Sequence, residues 1–173
     1  MILILQNIRS LYNVGSIFRT ADAAGVTKIY LCGITPTPLD KFNKLRPQLT
    51  KVSLGAEKMV SWEKVASATR LIDRLKKDKY KIFAVEQDKK SVPYYSVKPA
   101  SYNSDKTAIV LGNEVRGLSP AILKRADKIL EIPMRGALIN EANHPRQVGK
   151  GKESLNVGVS FGIVAFGLLY INR

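Results

Sequence analysis

The sequence predicts an α/β fold, a largely parallel sheet flanked by helices. Three observations carry this. Short apolar runs of strand length alternate with helix-length stretches whose apolar residues recur every three or four positions. Polar, glycine- or proline-bearing segments follow most of the apolar runs. Neighbouring strands separated by a helix cannot be joined as hairpins, so they run parallel through crossovers. The length of 173 residues suits one domain with a proper core, and no internal repeat, low-complexity tract or linker divides residues 1–173.

Residues 1–5 read as a short buried strand. Residues 13–25 read as a helix, with Val14, Ile17, Phe18 and Ala21 on one face, Asn13 as cap and Gly25 as stop. Residues 27–32 form the next strand. Residues 33–50 contain three prolines and read as a long loop. A basic amphipathic helix is expected over 63–77, with Val65, Ala68, Leu71, Ile72 and Leu75 inward. Strands follow at 81–85 and 107–111, separated by a polar loop holding Pro93 and Pro99. Ser119 then caps a helix over 120–126 with Pro120 at its first position. A strand at 128–132 ends at Pro133, and a nearly uncharged helix opens at Ser154 or Asn156 and runs to 171. The stretch 138–153 mixes charges with Gly149 and Gly151 and is expected to be a mobile insertion.

Composition narrows the function. Twenty-eight Lys and Arg against 14 Asp and Glu leave a net charge of +14. Such a surplus favours a polyanionic partner, because cations that meet phosphates release condensed counterions. Lys41, Lys44, Arg46 and Lys51 stand together with no acid among positions 41–51. One cysteine and one histidine exclude a disulfide framework and a cysteine-based zinc site, so no metal is expected. The first residues are apolar without a basic leader, and no run approaches the roughly 20 apolar residues of a membrane helix. A cytoplasmic protein is the expectation. No glycine-rich dinucleotide fingerprint follows the first strand, and the Gly149–Lys152 run lacks the order of a P-loop. Cys32, at a strand end with no partner in sequence, reads as a buried thiol rather than a nucleophile.

Three segments carry chemistry, each at a strand end, where open parallel sheets place ligands. The first is N-x5-R-T-A-D-A-x-G-V, beginning at Asn13 and including Arg19. Arg19 is surrounded in sequence by Val14, Ile17 and Phe18 and is expected to be partly buried and in need of an anion. The second is L-G-N-E-x-x-G-L over 111–118, where Gly112 and Gly117 permit close backbone approach around Glu114. The third is I-P-M-x-G from Ile132, followed after 138–153 by S-L-N-V from Ser154.

Together and in this order, the three segments resemble the signature motifs of the SpoU/TrmH family of RNA ribose 2′-O-methyltransferases, in the SPOUT superfamily. The resemblance runs from Asn7 to the last helix. One departure is the interval 138–153, since relatives place the two halves of the third motif only a few residues apart. The resemblance implies a C-terminal deep trefoil knot, S-adenosylmethionine as cofactor and a homodimer. It implies cofactor contacts from Val85, Glu86, Gln87, Leu111, Gly112, Asn113, Ile132, Met134, Ser154 and Leu155. It implies catalytic roles for Arg19, Asn13, Glu114, Ser154 and Asn156. A guanidinium is a poor base, so Arg19 is expected to bind phosphate and stabilise a developing alkoxide. Arg9, Lys41, Lys44, Arg46 and Arg116 are the expected RNA contacts. The RNA is a structured one, with transfer RNA placed ahead of ribosomal RNA. A catalytically silent RNA-binding or ribosome-assembly protein, and a methyltransferase acting on a base nitrogen, are the competing readings. The stripe Gly158–x3–Gly162 fits either a close helix–helix dimer contact or burial within one subunit.

Overall fold

In a computed structural model, residues 1–98, 102–134 and 154–171 are described. The strands are β1 (Ile2–Gln6), β2 (Lys28–Cys32), β3 (Ser61–Val65), β4 (Lys81–Val85), β5 (Val92–Pro93), β6 (Thr107–Leu111) and β7 (Lys128–Glu131). The helices are α1 (Leu11–Ala23), α2 (Pro47–Ser53), α3 (Ala56–Met59), α4 (Ala68–Lys77), α5 (Pro120–Leu123) and α6 (Val157–Phe166); a wider turn over Gly167–Ile171 continues α6. All strand pairs are parallel, in the order β3-β2-β1-β6-β4-β7-β5. The predicted parallel α/β sheet is therefore present.

The sheet is buried on both faces, as a parallel sheet must be. Along β1, Leu3 and Leu5 point into a layer built with Val14, Ile17 and Phe18 of α1, Leu49 of α2, and Phe161 and Val164 of α6. The alternate residues Ile2 and Ile4 point the other way, onto Leu71, Ile72 and Leu75 of α4 and Ile122 of α5. The chain lays down β1, β2 and β3 outward in one direction, then returns across the sheet, so that β6 lies between β1 and β4. That reversal opens a crevice at the carboxyl ends of the central strands.

Several boundaries differ from the sequence reading, each for a local reason. Helix α1 begins at Leu11, and Ser10 rather than Asn13 caps it: the Ser10 hydroxyl accepts the Asn13 N–H at 3.2 Å. The side chain of Asn13 is thereby left to reach outward. Residues 63–65, expected to open a helix, belong instead to the edge strand β3, and α4 starts only after Ser67, whose hydroxyl accepts the Arg70 N–H. The segment 33–50 is not all loop. Pro47 takes the first position of α2, where its missing N–H costs nothing. Val92–Pro93, expected as loop, adds a two-residue strand to β7 at the sheet edge. The 120–126 helix stops at Leu123.

The glycines of α6 settle between their two readings. A Cβ on Gly158 would lie 3.1 Å from the Ser16 hydroxyl, and one on Gly162 would lie 3.5 Å from Thr20. The stripe packs α6 against α1 within one chain. The expected insertion 138–153, with His144, lies outside the described residues, as does most of the path from β7 to α6 on which a knot would turn. Among the described residues, no helix is long and apolar enough to cross a membrane, and no group of three metal-ligating side chains occurs.

Candidate active site

The crevice holds a cavity of about 630 Å³ at the carboxyl ends of β4, β6 and β7, capped by the start of α6. That volume lies within the range of small-molecule sites. Its walls combine apolar groups from Val85, Leu111, Ile132 and Leu155 with polar ones from Asn13, Glu86, Glu114 and Asn156. Every residue expected as a cofactor contact lines it: Val85, Glu86, Gln87, Leu111, Gly112, Asn113, Ile132, Met134, Ser154 and Leu155.

A chain of hydrogen bonds joins the three motifs. Asn156 caps α6, its Oδ1 accepting the Gly158 N–H at 2.9 Å, and its Nδ2 donates to Asn13 Oδ1 at 3.0 Å. Asn13 Nδ2 donates in turn to Glu114 Oε1 at 2.9 Å. The Glu114 carboxylate also accepts the backbone N–H groups of Arg9 at 3.2 Å and Ser10 at 3.4 Å. Burial alone would push the Glu114 carboxyl upward. The bonds from Asn13 and from the backbone N–H groups of Glu114, Arg9 and Ser10 outweigh it and hold the group below the usual carboxylate range. Glu114 is thus an anion at neutral pH, able only to accept.

The turn carrying Glu114 is clamped from below. Asn113 Nδ2 donates to the Asn7 carbonyl at 2.8 Å, and its Oδ1 accepts the N–H groups of Val115 and Arg116. Glu86, at the end of β4, accepts the Leu118 N–H at 2.7 Å. Gly117 stands at φ 62°, and a Cβ there would fall 2.2 Å from the Glu86 carboxylate. The left-handed conformation favours glycine, and a Cβ would displace the Glu86 carboxylate from its place. Glu86 therefore shapes the cavity by holding the turn as well as by lining it.

Arg19 is the clearest departure from expectation. It is exposed and lies outside the cavity. The reason is periodicity: with Ile17 and Phe18 facing the core, the next 100° step turns Arg19 to solvent. It stands six residues along α1 from Asn13, about 9 Å at 1.5 Å per residue. Ser154 is exposed at the cavity rim. Arg9 and Arg116 are exposed beside the Glu114 turn, whereas Lys41, Lys44 and Arg46 lie on the loop after β2. Arg46 is half-buried, its Nε donating to the Leu39 carbonyl at 3.4 Å, so it braces that loop. Sequence reasoning missed Glu131 and Ser160 in the cavity wall. No motif marked them, because only the pairing of β7 with β4 and the docking of α6 bring them there.

A parallel sheet with a mixed apolar and polar cavity at its reversal point, closed by a helix start, defines an α/β protein with a site of small-molecule size. The model of the SpoU rRNA Methylase family matches residues 1–140, and the chain belongs to that family. It is 30% identical over 96% of its length to a tRNA (guanosine(18)-2′-O)-methyltransferase of Aquifex aeolicus, covering 67% of that protein. It is 29% identical over 96% of its length to the 23S rRNA (guanosine-2′-O-)-methyltransferase RlmB of Coxiella burnetii, covering 56% of it. Among solved structures, the A. aeolicus TrmH/SpoU tRNA modifying enzyme superposes with a TM-score of 0.73 at 29% identity, over 96% of this chain and 72% of that one. An AdoMet-bound rRNA methyltransferase from Sinorhizobium meliloti shares the fold, with a TM-score of 0.74 at 24% identity over 96% of this chain and 54% of that one.

Proposed function

We propose that this protein transfers a methyl group from S-adenosylmethionine to a ribose 2′-hydroxyl of a structured RNA, with transfer RNA the first substrate to test. The observation that carries this reading is the Asn156–Asn13–Glu114 relay, which ties all three motifs to the rim of one cavity. A protein that only binds RNA has no use for a fixed polar relay beside a cavity of small-molecule size.

The residues present suit the cofactor. Val85, Leu111, Ile132 and Leu155 offer apolar walls for a heteroaromatic ring, and Glu86, Glu114 and Glu131 surround the cavity with carboxylates that favour a cationic ligand. S-adenosylmethionine, when bound, supplies a methyl group already activated on a positively charged sulfur. The protein then has two tasks: alignment of the hydroxyl and removal of its proton. Glu114 locks the Asn13 amide, and Asn13 locks Asn156, so each presents its remaining N–H in a fixed direction. In this reading Arg19, exposed and charged, takes the phosphate next to the target ribose, and the proton leaves to that phosphate or to water.

We also read the exposed apolar side chains of α1, α6 and the turn that continues α6 as a homodimer interface. Tyr12, Val159, Phe166 and Tyr170 are each 38% exposed or more. Sedimentation velocity checks this; a monomer at micromolar concentration overturns it.

The deciding experiment incubates the protein with methyl-labelled S-adenosylmethionine and unmodified total transfer RNA or ribosomal RNA, followed by digestion to nucleosides. A labelled 2′-O-methylnucleoside is the expected product. A labelled base would move the reaction to a ring nitrogen, and absence of both label and cofactor binding would overturn the reading in favour of a silent RNA-binding protein.

A further inference from the structure

The loop after β2 ends in a small hairpin whose cations are expected RNA contacts and whose aromatic tip is left without a task. Leu39 and Leu45 pair as an antiparallel bridge. The Asp40 carboxylate accepts the N–H groups of Phe42 at 2.8 Å and Lys44 at 2.9 Å, and the Asp40 N–H donates to the Lys44 carbonyl at 2.8 Å. Asn43 takes the left-handed conformation, φ 58°, that closes the turn. The Arg46 N–H donates to the Pro38 carbonyl at 2.9 Å. The tip is therefore built and held by its own residues. What it displays is Phe42, 69% exposed, with the Lys41 ammonium 4.9 Å from the ring centroid and Lys44 exposed close by. A single exposed apolar residue is ordinary. A phenyl ring raised on a fixed turn, among cations and with the one local carboxylate consumed by backbone N–H groups, is not.

The position also matters. Thr35, at the root of this loop, accepts the Ile8 N–H at 3.1 Å and donates to the Leu5 carbonyl at 3.0 Å, so the loop is tied to the segment that carries Arg9. Parallel strands all end on one edge, and β2 lies two, three and four strand spacings from β6, β4 and β7, about 10 to 20 Å. The loop that carries the hairpin thus leaves the edge of the sheet at which the cavity opens.

We propose that Phe42 is a stacking platform for an unpaired nucleobase of the RNA, one that flanks the methylated nucleotide, with Lys41 and Lys44 holding the adjoining phosphates. This rests on the RNA reading above and goes beyond it by committing the substrate to a single-stranded element. The physical basis is that every base offers a π-face, that a stack on an aromatic ring tolerates any sequence, and that a double helix keeps its bases out of reach. Because the tip is already ordered, little ordering is lost on binding.

The test measures binding of a short single-stranded oligouridylate and of an RNA duplex of the same length, at one fixed salt concentration, by wild type, F42A, F42L and F42W. The expected result is a roughly ten-fold loss on the single strand for both F42A and F42L, the size of one lost stack. F42W keeps the affinity, and the duplex is bound equally by all four. Loss in F42A but not in F42L would mean an apolar contact rather than a stack and would overturn the proposal. Wild-type affinity in F42A on the single strand would overturn it too, while leaving the RNA reading intact. Failure of the wild type to bind either RNA would sink both, and would leave a protein partner as the occupant of the tip.

Discussion

Two turns leave the same edge of the sheet, and carboxylates help to hold both, yet in opposite ways. Asp40 accepts N–H groups two and four residues ahead of it, so the hairpin after β2 is a local structure. Glu114 accepts from residues 101 to 105 positions away, so its carboxylate is fixed in place only where β1, α1 and β6 have already met. The lesson is one of cooperativity. A local turn places a side chain for contact with a partner and tolerates damage, because its bonds break without disturbing the core. A long-range turn couples a site to the whole fold: a lost bond there both misplaces the reacting groups and leaves polar groups unpaired.

Substitutions should expose this difference. The largest effect is expected from Glu114→Ala, which strips the Asn13 amide and two backbone N–H groups of their acceptor. Turnover should fall about 100-fold or more, the scale of losing a positioned polar group in an active site. Single-turnover kinetics read this, and circular dichroism checks that the fold persists. Arg19→Ala should cost a similar factor in turnover while the dissociation constant for S-adenosylmethionine stays within about two-fold, because Arg19 lies outside the cavity. A coupled loss of cofactor affinity would show that Arg19 acts through the cavity instead. Next comes Gly117→Ala, which forces a Cβ to within 2.2 Å of the Glu86 carboxylate and strains the backbone. About 2 kcal/mol of stability should be lost, measured by denaturant titration, with part of it recovered in the Glu86→Ala double variant.

The local turn should respond more mildly. Asp40→Ala removes two backbone bonds from an exposed tip, so the midpoint of thermal unfolding should fall by only a few degrees. The KM for RNA should rise several-fold with a smaller change in kcat. Charge reversal at Lys44 should lower the slope of log affinity against log salt by roughly one to two units.

The smallest effects concern titration. Because the Glu114 carboxyl lies below its ordinary value in the folded protein, its bonds contribute stability at and above the usual carboxylate range. That contribution is lost only as pH falls through the depressed folded value. Between pH 5 and 8 the relay should be insensitive to pH, and Glu114→Gln should remove an acid-limb dependence of stability seen in the parent. Burial pushes the Cys32 thiol up to about 12, so it stays protonated and should resist thiol reagents until the protein unfolds.

How much was legible can be argued from pairs of like residues. Pro120 reads as a helix start because a serine, a common capping residue, precedes it, although the Ser119 side chain makes no capping bond. Pro47 plays the same part in α2, but arginine is not a capping residue type, so Arg46 gives no signal and the segment reads as loop. Ser10 and Asn13 are both good capping residues three positions apart. Only the contact between Asn13 and Glu114 decides that Ser10 caps the helix and Asn13 serves the site. Val65 sits at helical spacing from Ala68, yet pairing of β3 with β2 overrides that local pattern.

The parallel sheet, its two buried faces, the basic surface and the three motifs all follow from the order and spacing of residues along the chain. Apolar periodicity dictates which elements can share a core, and glycines beside carboxylates mark where backbone must turn tightly. The relay itself could not be read that way. Asn13, Glu114 and Asn156 are separated by more than 40 residues at each step, and their meeting depends on β6 inserting between β1 and β4 while α6 docks on α1. The same docking turned Gly158 and Gly162 into an internal seam. It also left Arg19 facing solvent, since a residue one step past two core positions has nowhere else to point.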